Sequence, residues 1–181
     1  MISSVCLAEP QTWQIDPNHT ASQFSVKHLG ISTVRGQFQK TTGTATFDPS
    51  DPTKTFIEAS IDASTVDTRV QMRDNDLRSP HFLEVEKYPT ITFKSTRAEA
   101  AGAGKLKITG DLTIHGVTKQ VVMDVDASSQ PITNPMGKGM RMGANATTTI
   151  NRNDFGITTM PGIVGDEIQI VLDVELTRPA K

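Results

Sequence analysis

Histidine offers the widest range of chemistry among the side chains of this sequence, and the chain contains four histidines. They are His19, His28, His81 and His115. Histidines that bind one metal ion usually stand at HxH or i, i+4 spacing, and no two of these four are spaced in that way. We therefore predict no metal site. His28 shares the parity of Phe24 and Val26, so we expect it to point inward and to contact a ligand.

A nucleophilic site has no support in the sequence. No serine lies in the glycine-flanked elbow of hydrolases. The chain has one cysteine, Cys6, which lies near the N-terminus and can form neither an internal disulfide nor a cysteine-based zinc cluster. We therefore predict that the protein is not an enzyme.

Arginine is the residue type best suited to bind a phosphate or another polar head group, because its planar guanidinium can donate two parallel hydrogen bonds to the oxygens. Arg73 is our prediction for such a contact, within a charged segment of predicted helix. Arg35, Arg141 and Arg152 are alternatives of similar standing. Ion pairing within the fold is the competing interpretation for all four.

The element pattern is clearest in the segment GDLTIHGVTKQVVMDV, residues 110–125. Apolar and polar residues alternate on both sides of His115-Gly116, and this period of two predicts strands with one face in water. Glycine, and to a lesser extent histidine, adopts positive φ, so this pair predicts a tight hairpin turn.

Similar alternation along the chain predicts an all-β protein, an eight-stranded antiparallel barrel of the lipocalin-like kind. The predicted strands are 24–30, 34–47, 57–62, 90–96, 105–114, 117–125, 140–148 and 168–176. Gly36 and Gly43 predict bends within the second strand. One short helix is expected over 68–78, between strands three and four, with Asp67 as its cap.

Composition narrows the classes of function. The chain has 181 residues, a length that fits one domain over 11–181. Its net charge of -2 gives no sign of a basic surface for nucleic acid. No apolar run approaches the roughly 20 residues that span a bilayer. Residues 1–10 are interpreted as the remnant of a truncated secretory signal, or otherwise as a flexible N-terminus.

Four motifs, in this order along the chain, resemble the YceI family. They are HTASQFSVKHLGISTVRGQF, RDNDLRSPHFLEVEKYPTITFKST, GDLTIHGVTKQV and INRNDFGI. The resemblance covers residues 13–176 and implies a lipocalin-like barrel with a long apolar tunnel, located in the bacterial periplasm. It also implies a polyisoprenoid or similar amphiphile as the ligand and makes a homodimer plausible.

The central motif departs from the family at two places. Asp76 stands before Leu77 where relatives tend to have histidine, and His81-Phe82 stands where two phenylalanines are common. The ligand contacts that relatives make with those residues are therefore not carried over to this chain.

The leading hypothesis is a non-enzymatic carrier that holds an isoprenoid, such as a quinone, or a fatty amphiphile, and requires no cofactor. The predicted ligand contacts are Phe24, Val26, His28, Phe38, Arg73, Phe93, Leu112, Ile114, Met142 and Ile170. Small inward-facing residues favour space over a filled interior: Ala45, Ala59, Gly110, Ala144 and Ala146. Met72, Met140 and Met142 would suit a pliable wall. The alternatives are a lipid-modifying enzyme that uses His28 or Arg73 and an interaction module whose barrel is fully packed.

Overall fold

The computed structural model describes residues 10–48, 51–127 and 129–179. Cys6 and nine of the ten residues of the predicted secretory remnant, 1–9, lie outside the described residues. None of the helices in the described part of the chain combines the length and the apolar character needed to cross a bilayer.

Twelve strands and one α-helix make up the described chain. The strands are β1 (Gln11–Ile15), β2 (Ala21–His28), β3 (Ser32–Phe38), β4 (Thr41–Phe47), β5 (Phe56–Asp62), β6 (Val66–Asp67), β7 (Thr90–Gly102), β8 (Lys105–Ile114), β9 (Val117–Asp126), β10 (Ile132–Thr133), β11 (Met140–Asn151) and β12 (Val164–Arg178). The helix α1 is Gln71–Arg78, and short 3-10 helices cover Pro52–Lys54, Ala63–Thr65 and Arg152–Phe155.

Eight of the strands close into an antiparallel barrel, which confirms the predicted fold class. Around the ring the order is β1, β4, β5, β7, β8, β9, β11 and β12, and β12 returns to β1 through Ile15 opposite Leu176. The same edge of β12 also pairs with β2, which forms a hairpin with β3. Closure leaves few unpaired edges to which another chain could add a strand.

The predicted strand 34–47 is wrong as one element, because the chain reverses between Phe38 and Thr41. The turn depends on tertiary contacts, since Gln39 N donates to Thr65 Oγ1 at 3.1 Å and Gln39 Nε2 donates to Asp67 Oδ2 at 3.0 Å. β1 was not predicted. Its five residues are short for a periodicity argument, although Trp13 and Ile15 do alternate inward.

Helix α1 begins three residues later than predicted, and Asp67 does not cap it. Asp67 Oδ1 accepts from the amide of Arg69 at 2.7 Å, while Asp74 Oδ1 accepts from the Thr68 amide at 2.8 Å. Arg69 adopts a positive φ of 65°, so the chain turns before the helix can start.

The hairpin between β8 and β9 confirms the predicted turn. His115 and Gly116 have φ values of 52° and 74°, and Ile114 pairs directly with Val117. A two-residue loop with positive φ at both positions matches the twist of the flanking strands.

Inward-facing side chains form two buried clusters. The larger is built mainly from β7, β8, β9, β11 and the 3-10 helix Arg152–Phe155, with Ile108 and Phe155 fully enclosed. The smaller surrounds Trp13, which has no exposed surface, and contains Ile15, Met142 and Leu176. The smaller cluster fills one end of the barrel, and the site lies above it.

Candidate ligand-binding cavity

The barrel encloses a cavity of about 260 Å³ whose wall is almost entirely carbon. Packed protein interiors contain few voids larger than one water molecule, so a void of this size is not a packing defect. The described residues therefore do not form the fully packed barrel of the interaction-module hypothesis.

The two sides of the cavity differ in how tightly they are packed. On the β7, β8 and β9 side the lining residues are buried, as Phe93, Ile108 and Met123 illustrate. On the β2 and β12 side the lining residues Phe24 and Ile170 are only half-buried, although they face inward. The accessible surface that remains on these inward faces is the surface available to a ligand.

Most of the residues predicted as ligand contacts line this cavity. Those that do are Phe24, Val26, Phe38, Phe93, Leu112, Ile114 and Ile170. They come from β2, β3, β7, β8 and β12. The barrel ring and the β2–β3 hairpin that pairs with β12 bring these strands around one space. Their contact with a ligand stays a prediction.

Alanines widen the cavity, whereas the inward glycine does not. Ala45, Ala59, Ala144 and Ala146 belong to the lining. A Cβ at Gly110 would collide with the Phe93 ring, so that glycine gives room to the ring rather than to a ligand. Gly36 serves Phe24 in the same way, since a Cβ there would lie 2.5 Å from Phe24 Cζ.

Three predicted contacts lie outside the lining. Met142 faces inward but packs beside Trp13 in the smaller cluster, below the cavity. His28 ends β2, opposite Val164, and is half-buried. Arg73 donates from Nε to Thr68 Oγ1 at 2.7 Å and from Nη2 to Thr68 O at 2.9 Å, so it fixes the start of α1. The structure places none of these three against the cavity.

The methionines suggested as pliable wall also lie elsewhere. Met140 packs against the smaller cluster and Met72 is 83% exposed. Met123 of β9, which was not predicted, lines the cavity instead. Inward parity alone could have identified Met123, because it faces the same way as Val121 and Val125.

The buried polar side chains at the cavity wall are already hydrogen-bonded. Ser22 and Thr41 pair through their hydroxyls at 2.7 Å. Arg152, 3% exposed, uses all five of its N–H donors. These reach the carbonyls of Gly165 (3.0 Å), Ile157 (2.7 Å), Thr159 (2.8 Å) and Val164 (3.0 Å), and Asp166 Oδ1 at 3.1 Å. Arg152 therefore holds the structure together and has no free donor for a head group.

Arg141 is likewise committed to an ion-pair network at the end of the barrel. Its Nη1 donates to Asp16 Oδ2 at 2.9 Å and also contacts Glu175. Burial opposes ionisation of Asp16, but hydrogen bonds from His19 and Arg141 outweigh that effect and lower the pKa of Asp16 to about 2. Arg35 is exposed and makes no ion pair within the described residues.

One cluster of two carboxylates and a histidine has the geometry to hold a cation. Asp16, His19 and Glu175 place their ligand atoms within 4.8 Å of one another. Arg141 already contacts both carboxylates, and its positive charge disfavours a metal ion there. The predicted lack of a metal site was argued from histidine spacing, which could not reveal this group; it stays a prediction.

Sequence reasoning missed the residues that cover the cavity from outside the strands. Leu77 of α1, Phe82, Leu83, Phe155 and Ile157 all belong to the lining. Each lies in a helix, turn or loop, where strand parity carries no information. Their apolar character within otherwise polar loops was the available signal.

The two departures from the family motif contact each other. His81 Nδ1 and Asp76 Oδ1 are 2.9 Å apart, on the solvent side of the segment that carries Leu77 and Phe82. The departures therefore form one exposed pair, and their neighbours in sequence still line the cavity.

A closed antiparallel barrel with an apolar interior cavity defines the class of lipocalin-like barrels that have room for a small hydrophobic ligand. Comparison narrows this class to a family. The profile described as the YceI-like domain matches residues 13–176, and the chain belongs to that family.

Individual relatives agree with this assignment. Protein YceI of Salmonella arizonae is 39% identical over 157 residues, which cover 87% of this chain and 81% of that protein. The crystal structure of the Campylobacter jejuni YCEI protein is similar with a TM-score of 0.75 and 32% identity, covering 84% of this chain and 89% of that one. A polyisoprenoid binding domain from Saccharophagus degradans shares the fold at a TM-score of 0.67 and 14% identity, with 92% and 98% of the two chains covered.

Proposed function

We propose that this protein binds a long-chain isoprenoid, such as a quinone, or another amphiphilic lipid, and carries it without catalysing a reaction. The observation that supports this proposal most directly is the apolar cavity of about 260 Å³, whose buried polar side chains have partners within the fold. Family membership supports the same class of function, and the Saccharophagus relative of this fold is described as a polyisoprenoid binding domain.

Burial of the tail supplies the binding free energy. Each buried methylene contributes about 0.8 kcal/mol, so a five-carbon isoprene unit contributes on the order of 3 kcal/mol before ordering costs. An apolar wall whose buried polar side chains are paired within the fold favours a hydrocarbon ligand and discriminates little between hydrocarbon shapes. The ligand is held non-covalently, and the binding requires no cofactor.

The geometry gives no support to the lipid-modifying alternative. That hypothesis needs His28 or Arg73 beside the ligand, and both lie outside the cavity lining. A periplasmic location, a homodimer and the absence of nucleic-acid binding agree with the family resemblance and with the dispersed charge, and they remain part of this proposal.

Native mass spectrometry of the purified protein, followed by organic extraction, tests the proposal directly. We expect a stoichiometric prenyl or acyl lipid. Its absence from the purified protein, together with no uptake of added prenyl alcohol, would contradict the proposed function.

A substitution at Leu112 identifies the binding place. Leu112 is 4% exposed and lines the cavity, so Leu112→Trp fills ligand space and should lower lipid retention about tenfold. Val122, 48% exposed on the adjacent β9, provides the matched control, because Val122→Trp adds the same ring outside the barrel. Circular dichroism verifies folding. Equal retention in both variants would remove Leu112 from the site.

A further inference from the structure

An exposed apolar surface adjoins one end of the cavity. It consists of Leu29 (53% exposed), Ile31 (84%), Met160 (41%) and Ile163 (43%), and we call these four residues the apolar rim. The first two lie at the tip of the β2–β3 hairpin, and the other two lie in the loop before β12. The Leu29 amide donates to the Ile163 carbonyl at 2.7 Å, so the two loops form one continuous surface.

The backbone of both loops is suited to polar turn residues, yet the side chains are large and apolar. Leu29 and Met160 have φ values of 51° and 54°, a region that glycine, asparagine and aspartate favour. A water-exposed turn gains nothing from leucine or methionine there. Clustered exposed apolar side chains indicate a surface that contacts another apolar phase.

The rim is continuous with the cavity wall. Ile157 lines the cavity, and the same loop presents Met160 and Ile163 to solvent. Val26 lines the cavity on β2, three residues before Leu29. If an apolar layer covered the rim, this end of the cavity would therefore lie next to the interior of that layer.

Size and charge identify the occupant of the rim. A standard protein interface takes about 20–30 residues from each side, many more than these four. The hairpin segment 21–38 carries Lys27 and Arg35 and no acidic residue, and among the described residues neither cation makes an ion pair. Acidic residues stand on the neighbouring elements, Asp154 in the 3-10 helix Arg152–Phe155 and Glu167 on β12, so the cationic character belongs to the hairpin itself. A few apolar side chains on a hairpin whose charged residues are both cationic match an anionic bilayer surface.

We propose that the apolar rim docks the protein on an anionic lipid bilayer, with Leu29, Ile31, Met160 and Ile163 inserted at the headgroup level. This inference rests on the proposed function, because docking there brings the cavity to the membrane from which a water-insoluble lipid is taken or to which it is delivered. The loop that carries Met160 and Ile163 is held firmly by Arg152, which binds the carbonyls of Ile157 and Thr159.

Flotation of the full chain with vesicles of phosphatidylethanolamine and phosphatidylglycerol tests the docking. We expect the protein to float with these vesicles, and Ile31→Asp to lower the partition coefficient about tenfold or more, since it removes a full apolar side chain and adds a negative charge. Met136, 91% exposed in the loop before β11, gives the control, because Met136→Asp makes the same kind of change at the other end of the barrel.

A spectroscopic readout complements flotation. The native Trp13 is fully buried and its emission should not respond to vesicles, so Ile31→Trp reports on the rim. We expect its emission to shift to the blue when these vesicles are added. Failure of the wild-type chain to float, or equal partitioning of the Ile31→Asp and Met136→Asp variants, would overturn the proposal.

Two further measurements separate the remaining outcomes. Light scattering in the absence of vesicles would overturn the proposal if Ile31→Asp converted a dimer into a monomer, because the rim would then be an interface between two copies. Retention of a preloaded prenyl alcohol is measured for the same variants. Lost flotation with kept retention supports docking through the rim, whereas flotation without any retention refutes the proposed function and leaves the docking intact.

Discussion

Arg152 shows how one side chain can control the shape of the cavity without contacting a ligand. Its guanidinium lies beneath the loop before β12 and accounts for the hydrogen bonds of four backbone carbonyls in that region. Buried carbonyls without a donor are costly, and a planar fork can satisfy several at once. The sequence offered Arg152 as an alternative head-group contact and ion pairing within the fold as the competing interpretation, and its contact with Asp166 at 3.1 Å supports the second.

Arg152→Ala should lower the free energy of unfolding by about 3 kcal/mol, because it leaves one buried and three partly buried carbonyls without their donor. Urea denaturation at neutral pH measures the change. Arg35→Ala serves as the control, since Arg35 is exposed, and we expect a change within about 0.5 kcal/mol. Equal stability of the two variants would show that water replaces the Arg152 hydrogen bonds.

At the residue scale, strand parity predicted which side chains face inward, because the period of two is a local property of the backbone. It could not predict what lies opposite them. Met142 and Ile170 both face inward, yet only Ile170 reaches the cavity, since Trp13 of an unpredicted strand fills the space beside Met142.

At the element scale, the junction of β1 with β12 is the narrowest part of the closed ring. These strands pair through only Gln14 with Thr177 and Ile15 with Leu176. Arg141 of β11 lies across this junction and joins Asp16, just after β1, to Glu175 of β12. The ion-pair network thus strengthens a seam that has few backbone hydrogen bonds.

This network should make part of the stability dependent on acidic pH. The pKa of Asp16 is about 2 in the folded state against an ordinary 3.8, so ionised Asp16 favours folding above about pH 4. As the pH falls from about 4 to 2, the unfolded chain takes up the proton first and the stabilisation is lost. Its full value is about 1–2 kcal/mol after allowance for solvent screening.

The measurement compares urea unfolding of the wild type and Asp16→Asn at pH 6 and at pH 2. We expect the wild type to be more stable at pH 6 and the difference to shrink at pH 2. Asp111→Asn on the exposed face of β8 is the control for a general charge effect. A constant difference at both pH values would show that the Asp16 carboxylate does not titrate as described.

Element boundaries were predictable where a glycine, proline or abrupt change of period marks them, as at His115-Gly116. They were not predictable at residues 39–40, where the turn lacks such a signal and is held by Thr65 and Asp67. The start of α1 was placed too early for a similar reason, since the hydrogen bond between Thr68 and Asp74 depends on a folded loop.

At the scale of the whole molecule, the barrel combines a tightly buried half with a less buried half. The wall of β7, β8 and β9 is packed against its neighbours, whereas Phe24, Phe38 and Leu77 around the other half retain accessible surface toward the cavity. A ligand that covers this surface would complete the hydrophobic core. Folding and lipid binding should therefore be thermodynamically coupled.

Removal of the ligand should lower the melting temperature of the protein. A ligand at one hundred times its dissociation constant stabilises the folded state by about 2.7 kcal/mol. For a chain of this size, each kcal/mol shifts the melting temperature by about 2–4 °C, so we expect a long prenyl alcohol to raise it by about 5–10 °C in delipidated protein. Differential scanning calorimetry measures the shift, a short-chain alcohol with the same head group is the control, and Leu112→Trp should reduce the effect. An identical response to the long and the short alcohol would mean that tail burial in the cavity does not drive binding.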